Sequence, residues 1–332
     1  MLGKKVGIDL GSMLVRVHVK GEGVVATEPS VVAVDVEQPV PRVVATGLHA
    51  RDALRAGVEL RSVLRAGSIA DVAGLDALVS AAVTRACGRQ RIFKPDVMVA
   101  VISEMAGTDR LQVLEACARA GARTMYLIDR PLAAAIGSTP PLAGTQARLV
   151  VELGAATVDA GVIADEGAVA TVFLRHGGAD LTAEIAQRLS EAHEATVTVA
   201  AAEEVKREIA SAVPLAEERT LRINSQRSGE SVELVVSSAE LDGAVRAWLG
   251  PLDDALAQLL AGTPPPLRDD LRRSGITLSG AGAMLRGLER HVSAVTGLPA
   301  FVAPDAAQAV ARGTAHALES LEVVRRTFLY VR

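Results

Sequence analysis

The sequence predicts an α/β fold of two related lobes, and three observations carry that prediction. At 332 residues the chain exceeds the size at which a single hydrophobic core stops growing. From Val97 onward, short β-rich runs alternate with helical stripes, the pattern of a largely parallel sheet covered by helices. The third observation is an internal echo. Val6-Gly7-Ile8-Asp9-Leu10-Gly11-Ser12 and Val150-Val151-Glu152-Leu153-Gly154-Ala155-Ala156-Thr157 share one order: apolar strand, carboxylate, apolar residue, Gly, then small or hydroxyl residues. Each is followed by an alternating run able to pair back as a hairpin. Two lobes that each offer such a turn to a shared cleft account for the repetition.

The first 46 residues supply short strands at 5–10, 14–19, 24–27, 31–34 and 42–45, broken by Gly21, Gly23 and Pro41. Asp71 caps a helix whose apolar stripe is Leu75, Leu78, Val79, Ala82 and Val83. A β-rich run at 97–102 leads to a helix capped by Thr108, then a strand at 125–128 and a helix from Pro131. Residues 138–146, with Pro140, Pro141 and Gly144, form the crossing between lobes. Beyond it come strands at 148–153, 158–164 and 168–174 and helices at 180–193 and 201–212. A hairpin across 220–237, a helix at 238–260 and a strand at 275–279 follow, and Asp305 caps a final helix with Val310, Thr314, Ala317 and Leu321 on one face.

Composition narrows the function classes. Apolar residues make up 49% and charged residues 22%, enough to bury a sizeable core and unlike a disordered chain. Aromatics are only 2%, with Trp248 the sole tryptophan, which leaves little surface for stacking bases. A net charge of −4 gives no global attraction to nucleic acid. Cys87 and Cys117 make neither a disulfide framework nor a four-cysteine zinc site, and fit a reducing cytosol. The basic start Met1-Leu2-Gly3-Lys4-Lys5 is not a signal peptide because Asp9 interrupts the apolar run. No stretch reaches the about 20 apolar residues that a membrane span needs. The expectation is a cytoplasmic protein, at most peripheral on a membrane.

A Gly turn after a strand lets backbone N–H groups approach phosphate oxygens, and a carboxylate just before it can hold Mg²⁺ through water. Two such turns face to face would clamp a triphosphate, although each alone is equally an ordinary tight turn. A third segment, Gly280-Ala281-Gly282-Ala283-Met284, ends a strand in small residues that let a flat adenosine lie on backbone or simply permit close packing. A fourth, Glu203-Glu204-Val205-Lys206, puts Glu203 and Lys206 on one helix face, able to reach a ribose or base edge or to form a solvated ion pair. Ile92 and Phe93 lie among Arg89, Arg91 and Lys94, suited to dip into an anionic headgroup layer unless Phe93 is a core anchor. There is no HExxH and no G-x-S-x-G.

Read in this order, and with the runs Val19-Lys20-Gly21-Glu22-Gly23-Val24-Val25, Glu28-Pro29-Ser30-Val31-Val32-Ala33, Ala120-Gly121-Ala122-Arg123, Pro131-Leu132-Ala133-Ala134-Ala135-Ile136-Gly137 and Thr263-Pro264-Pro265, the chain resembles the MreB/Mbl family of bacterial actin-like cell shape-determining proteins from Val6 to about Glu319. The resemblance implies an actin/Hsp70-like ATPase fold, with lobes at 1–138 and 139–304 and a C-terminal helix at 305–332 packed on the first lobe. It implies ATP and Mg²⁺ in the cleft. Ser12, Met13, Leu14, Gly154, Ala155, Ala156 and Thr157 would face the phosphates, and Asp9 and Glu152 the metal. Glu203, Glu204, Val205, Lys206 and the segment Gly280, Ala281, Gly282, Ala283 and Met284 would meet the nucleoside, and Ile92 and Phe93 the membrane. It further implies filaments of this chain at the inner face of the cytoplasmic membrane, working with the cell-wall synthesis machinery and not with nucleic acid.

The match breaks at the nucleotide site. Ser12-Met13-Leu14 stands where the family carries Thr-Ala-Asn, Gly154-Ala155-Ala156 where it has three glycines, and Gly280-Ala281-Gly282 carries one further alanine. A turn that needs positive φ at Ala155 or Ala156 would be strained by about a kcal/mol or more. Asp129-Arg130-Pro131 replaces two glutamates before the proline, the second of which orients the attacking water. A guanidinium has donors only and cannot take a proton from water. The expectation is therefore nucleotide binding with weak hydrolysis and no catalytic residue assigned. The alternatives are a nucleotide-insensitive scaffold or copolymer subunit, and a sugar-kinase-like enzyme of the same superfamily, for which no acceptor segment is found.

Overall fold

The computed structural model describes residues 3–89, 92–138, 147–164, 167–319 and 329–331. Two sheets repeat one plan. In the first, Lys5–Leu10 pairs antiparallel with Leu14–Val19, which pairs with Gly23–Pro29, while its other edge pairs parallel with Asp96–Val101 and then Thr124–Asp129. In the second, Ala147–Leu153 holds the matching place, with Val158–Ala164 and Gly167–Leu174 antiparallel on one side and Ile276–Ser279 and Ala300–Val302 parallel on the other. The echo in the sequence is thus an echo in topology.

The strands form where β-branched residues alternate. Leu14–Val19 buries Val15, Val17 and Val19 and leaves Arg16 and His18 partly exposed, the period of a half-buried strand. Asp71 caps Val72–Cys87 as the sequence predicts, its Oδ1 accepting from Gly74 N at 2.7 Å. Thr108 does not cap its helix. Gly107–Arg119 starts one residue earlier without a side-chain cap, and Asp109 in its first turn instead accepts from Ile69 N at 3.2 Å.

The expected helix at 305–332 is corrected by the structure. Asp305 sits at φ 49° without capping, a short 3₁₀ turn at Ala306–Gln308 precedes the helix Ala309–Ala317, and Leu329–Val331 is a strand antiparallel to Thr124–Asp129. Leu-Tyr-Val is a β-forming tripeptide beside an open sheet edge, which outweighs a continued helix. Leu321, placed on the helical stripe, lies outside the described residues, as do 139–146 of the expected crossing.

Each sheet has its own apolar cluster of Val, Leu, Ile and Ala, with Trp248 in the second. A third cluster joins them, built on the helices Arg130–Ser138 and Ala309–Ala317. These helices cross so closely that only hydrogen fits at the contact. A Cβ on Gly137 would stand 1.9 Å from Ala309 O, and one on Gly313 1.8 Å from Ala133 O. Phe173, from the second sheet, is buried in the cluster of the first. The crossing fixes the start of Arg130–Ser138, and with it Arg130, between the two hairpin turns.

Candidate functional site

The two turns close alike. Gly11 N donates to Leu14 O at 3.1 Å, and Gly154 N to Thr157 O at 2.9 Å. Neither glycine is at positive φ, nor are Ala155 and Ala156, so the strain expected from the alanines does not arise. The glycines serve space instead: a Cβ on Gly11 would lie 2.6 Å from Leu14 O and 3.3 Å from Arg130 Nη2, and one on Gly154 3.0 Å from Thr157 O and 3.6 Å from Arg130 Nη1.

Arg130 therefore sits between the turns. Its Nη2 donates to Asp9 Oδ1 at 2.5 Å and its Nη1 to Glu152 Oε2 at 3.2 Å. Arginine, aspartate and glutamate are 6%, 3% and 4% exposed, so the ion pairs are out of water. Strand register adds a cross-strand neighbour to each carboxylate. Arg16, opposite Asp9, reaches its Oδ2 at 3.4 Å, while Asp159 stands opposite Glu152. Burial pushes Glu152 up to about 7 against the pull of the Arg130 guanidinium. Burial likewise lifts Asp159 to about 6, although Ser103 N and Oγ donate to it at 2.8 and 2.6 Å. For Arg130, burial favours proton loss, but Glu152 and Asp9 reverse this and hold the proton more tightly than usual. Asp129 turns away to Arg110 Nη2 at 2.8 Å, and the same guanidinium reaches Ser103 O at 2.9 Å.

The residues present do not fit a divalent ion at Asp9 and Glu152. The guanidinium fills the gap between the two carboxylates, and no group of three or more His, Cys, Asp or Glu suited to a metal occurs among the described residues.

The remaining segments converge on the second turn. Gly280, at φ 82°, lies so close that a Cβ would stand 2.3 Å from Leu153 O and 2.8 Å from Glu152 Oε1. After it, Ala281–Met284 forms a 3₁₀ turn with Ala281 and Met284 exposed, Gly282 half-buried and Ala283 in the core. Helix Gly178–His193 starts on the same turn, Gly178 N donating to Gly154 O at 3.0 Å and Ala179 N to Ala155 O at 2.7 Å. On Val199–Ile209, Lys206 Nζ donates to Gly178 O at 2.9 Å, Thr182 Oγ1 at 2.8 Å and Glu203 Oε2 at 2.6 Å. Glu203 and Lys206 are thus anchored beside the turn and are more than a solvated pair. Val205 is buried in the core and Glu204 faces solvent, so neither side chain joins them. In the first turn Ser12 and Leu14 are half-buried, Met13 is exposed, and Thr157 of the second is buried. Ile92 and Phe93 are 92% and 50% exposed, so Phe93 is no core anchor; Arg91 beside them lies outside the described residues.

Comparison with known proteins decides the family. The family model described as MreB/Mbl protein matches residues 3–326. The chain belongs to the MreB/Mbl family. It is 31% identical to the cell shape-determining protein MreB of Escherichia coli (strain K12), over 97% of this chain and 95% of that one. It is 29% identical to the cell shape-determining protein Mbl of Bacillus subtilis (strain 168), over 97% and 98%. The solved structure of MreB5 of Spiroplasma citri bound to ADP superposes with a TM-score of 0.87 at 25% identity, covering 97% of this chain and 98% of that one. A MamK double helical filament shares the fold at a TM-score of 0.79 and 19% identity, over 96% and 99%. The fold is actin-like.

Sequence reading missed Arg16, Ser103, Arg110, Asp159 and Thr182. Arg16 and Asp159 were within reach, because each lies five residues after its turn glycine and closes the same hairpin register. Ser103, Arg110 and Thr182 carry no motif and enter only through the fold.

Proposed function

We propose that this chain is a bacterial actin-like cytoskeletal protein. It assembles into filaments at the inner face of the cytoplasmic membrane and works there with the cell-wall synthesis machinery to set cell shape. An adenine nucleotide binds between the two turns, with hydrolysis weak or absent. The observation that carries the reading is the convergence of the Gly280–Met284 segment, Glu203 and Lys206 on the second of two identically closed glycine turns. Family membership agrees, since the relatives named above are cell shape-determining proteins and MreB5 of Spiroplasma citri binds ADP. Weak hydrolysis follows from Arg130, which cannot act as a base, and from Asp129, which is turned to Arg110. The exposed Ile92 and Phe93 support membrane contact, and no described helix is long and apolar enough to cross a membrane.

The test is equilibrium binding of a fluorescent ATP analogue, read on the same samples as pelleting at rising protein concentration, with and without anionic vesicles. Binding that promotes pelleting, and pelleting that vesicles enhance, is the expected result. A second reading, a nucleotide-insensitive scaffold or copolymer subunit, is favoured by the way Arg130 already joins the two turns. Pelleting without binding would establish it, and a chain that neither binds nor pellets would refute both.

A further inference from the structure

We propose that Arg130 is a resident cation in place of a divalent metal, so that the two halves of this cleft are joined without metal and the site takes up no Mg²⁺. The inference rests on the cleft assignment above, but not on nucleotide binding.

Charge makes the first part of the case. Asp9 and Glu152 come from the middle strands of different sheets, and Asp159 lies directly across from Glu152. Three carboxylates, all at most 4% exposed, need positive charge close by. Among the described residues, Arg16 forms an ion pair with Asp9 and acts on Glu152 only at longer range. Among the described residues, Arg130 is the one group paired to a carboxylate of each sheet, one Nη to each. A guanidinium suits this because its fork presents separate donors in a fixed plane.

Position makes the second. Arg130 is the first residue of the buried helix Arg130–Ser138. The backbone N–H groups at a helix start carry partial positive charge and disfavour a cation there. The side chain is held against that preference by its two carboxylates, and its Nε has no hydrogen-bond partner among the described residues. A buried arginine with an unused donor at the unfavourable end of a helix is placed by what its two Nη atoms hold.

Volume makes the third. Mg²⁺ demands oxygen ligands at about 2.0–2.1 Å in near-octahedral geometry. The Nη atoms stand 2.5 and 3.2 Å from the oxygens that would supply such bonds, so the ion and the guanidinium compete for one place. The turn glycines leave it no retreat: the space beside each already lies within 3.3 to 3.6 Å of an Nη atom. A nucleotide entering this cleft would meet a fixed organic cation in place of a hydrated metal.

The experiment is a Mn²⁺ titration of the full chain without nucleotide, following the free-ion signal by electron paramagnetic resonance, with melting temperature in Mg²⁺ and in EDTA as a second readout. The wild-type chain is expected to leave the signal undiminished and to melt at the same temperature in both buffers. Arg130→Ala opens the gap between Asp9 and Glu152, so it is expected to take up stoichiometric Mn²⁺ and to melt higher in Mg²⁺ than in EDTA. Should that variant not fold, Arg130→Asn keeps a polar side chain that is too short to fill the gap between the carboxylates. Stoichiometric uptake by the wild type that Glu152→Gln abolishes would overturn the proposal, as would a folded Arg130 variant that gains no Mn²⁺. Uptake that Glu152→Gln leaves intact lies elsewhere and supports it.

Discussion

Replacing Arg130 by Met removes the charge while keeping an unbranched side chain, and the consequence can be worked from the geometry. The guanidinium makes two ion pairs, at 2.5 and 3.2 Å, to carboxylates that are 3% and 4% exposed. At an effective dielectric constant of about 20 and roughly 4 Å between charge centres, each pair contributes about 4 kcal/mol of attraction. Part of the loss is offset, because the guanidinium no longer has to be desolvated and Glu152 takes up a proton. Removing one partner of a buried ion pair costs about 3–5 kcal/mol on balance, and that is the expected loss at pH 7.5. Urea denaturation followed by the fluorescence of the buried Trp248 reads it. Combining Arg130→Met with Asp9→Asn and Glu152→Gln removes the stranded charges and is expected to recover more than half. Without the guanidinium, burial raises Glu152 with only Arg16 opposing it, so the deficit of the single variant shrinks at pH 5.5. A single variant within about 0.5 kcal/mol of the wild type, the scatter of ordinary surface substitutions, would refute the reasoning. So would a triple variant no more stable than the single.

Glu152 and Asp159 are acids raised to about 7 and about 6 in the folded chain, so the stability they add is present at low pH and lost as pH rises from about 4 to about 7. Relative to Glu152→Gln, the wild-type melting temperature should fall across that window, and a rise would contradict the assignment. Gly313→Ala places a Cβ 1.8 Å from Ala133 O, a backbone atom that cannot step aside, so it should destabilise by about 3 kcal/mol or prevent folding. The check is a melting curve, in which an unchanged midpoint would deny the close helix crossing. Ile92→Ser with Phe93→Ser removes side chains that are 92% and 50% exposed, and should reduce co-pelleting with anionic vesicles about tenfold while leaving the circular dichroism unchanged. Undiminished pelleting would place lipid contact elsewhere.

The hairpins were the most legible part of the fold. Strands 5–10, 14–19 and 158–164 have the bounds that the sequence predicts, because β-branched runs end there at glycines and charged residues. Strand Val58–Ser62 escaped because its residues Glu59 and Arg61 read as loop, and Pro265–Ser274 because it buries only Asp270, Leu271 and Ser274, too thin a stripe to register as apolar period. The final helix differs for the opposite reason: the apolar spacing of the sequence continues beyond Ala317, where the chain leaves the helix. At the site, the glycine turns, Glu203 with Lys206, and Gly280–Met284 could be read as local segments. What could not be read was that Arg130 would find Asp9, 121 residues away, and Glu152, 22 away. Sequence shows that a guanidinium cannot orient water; only the meeting of two sheets shows what it does instead.

Crystals grown with ADP and Mn²⁺ test the central claim most directly, through anomalous scattering from the metal. The account requires the Arg130 guanidinium between Asp9 and Glu152, with no anomalous peak within bonding distance of either carboxylate. A peak bridging those carboxylates, with Arg130 swung out of the cleft, would contradict it.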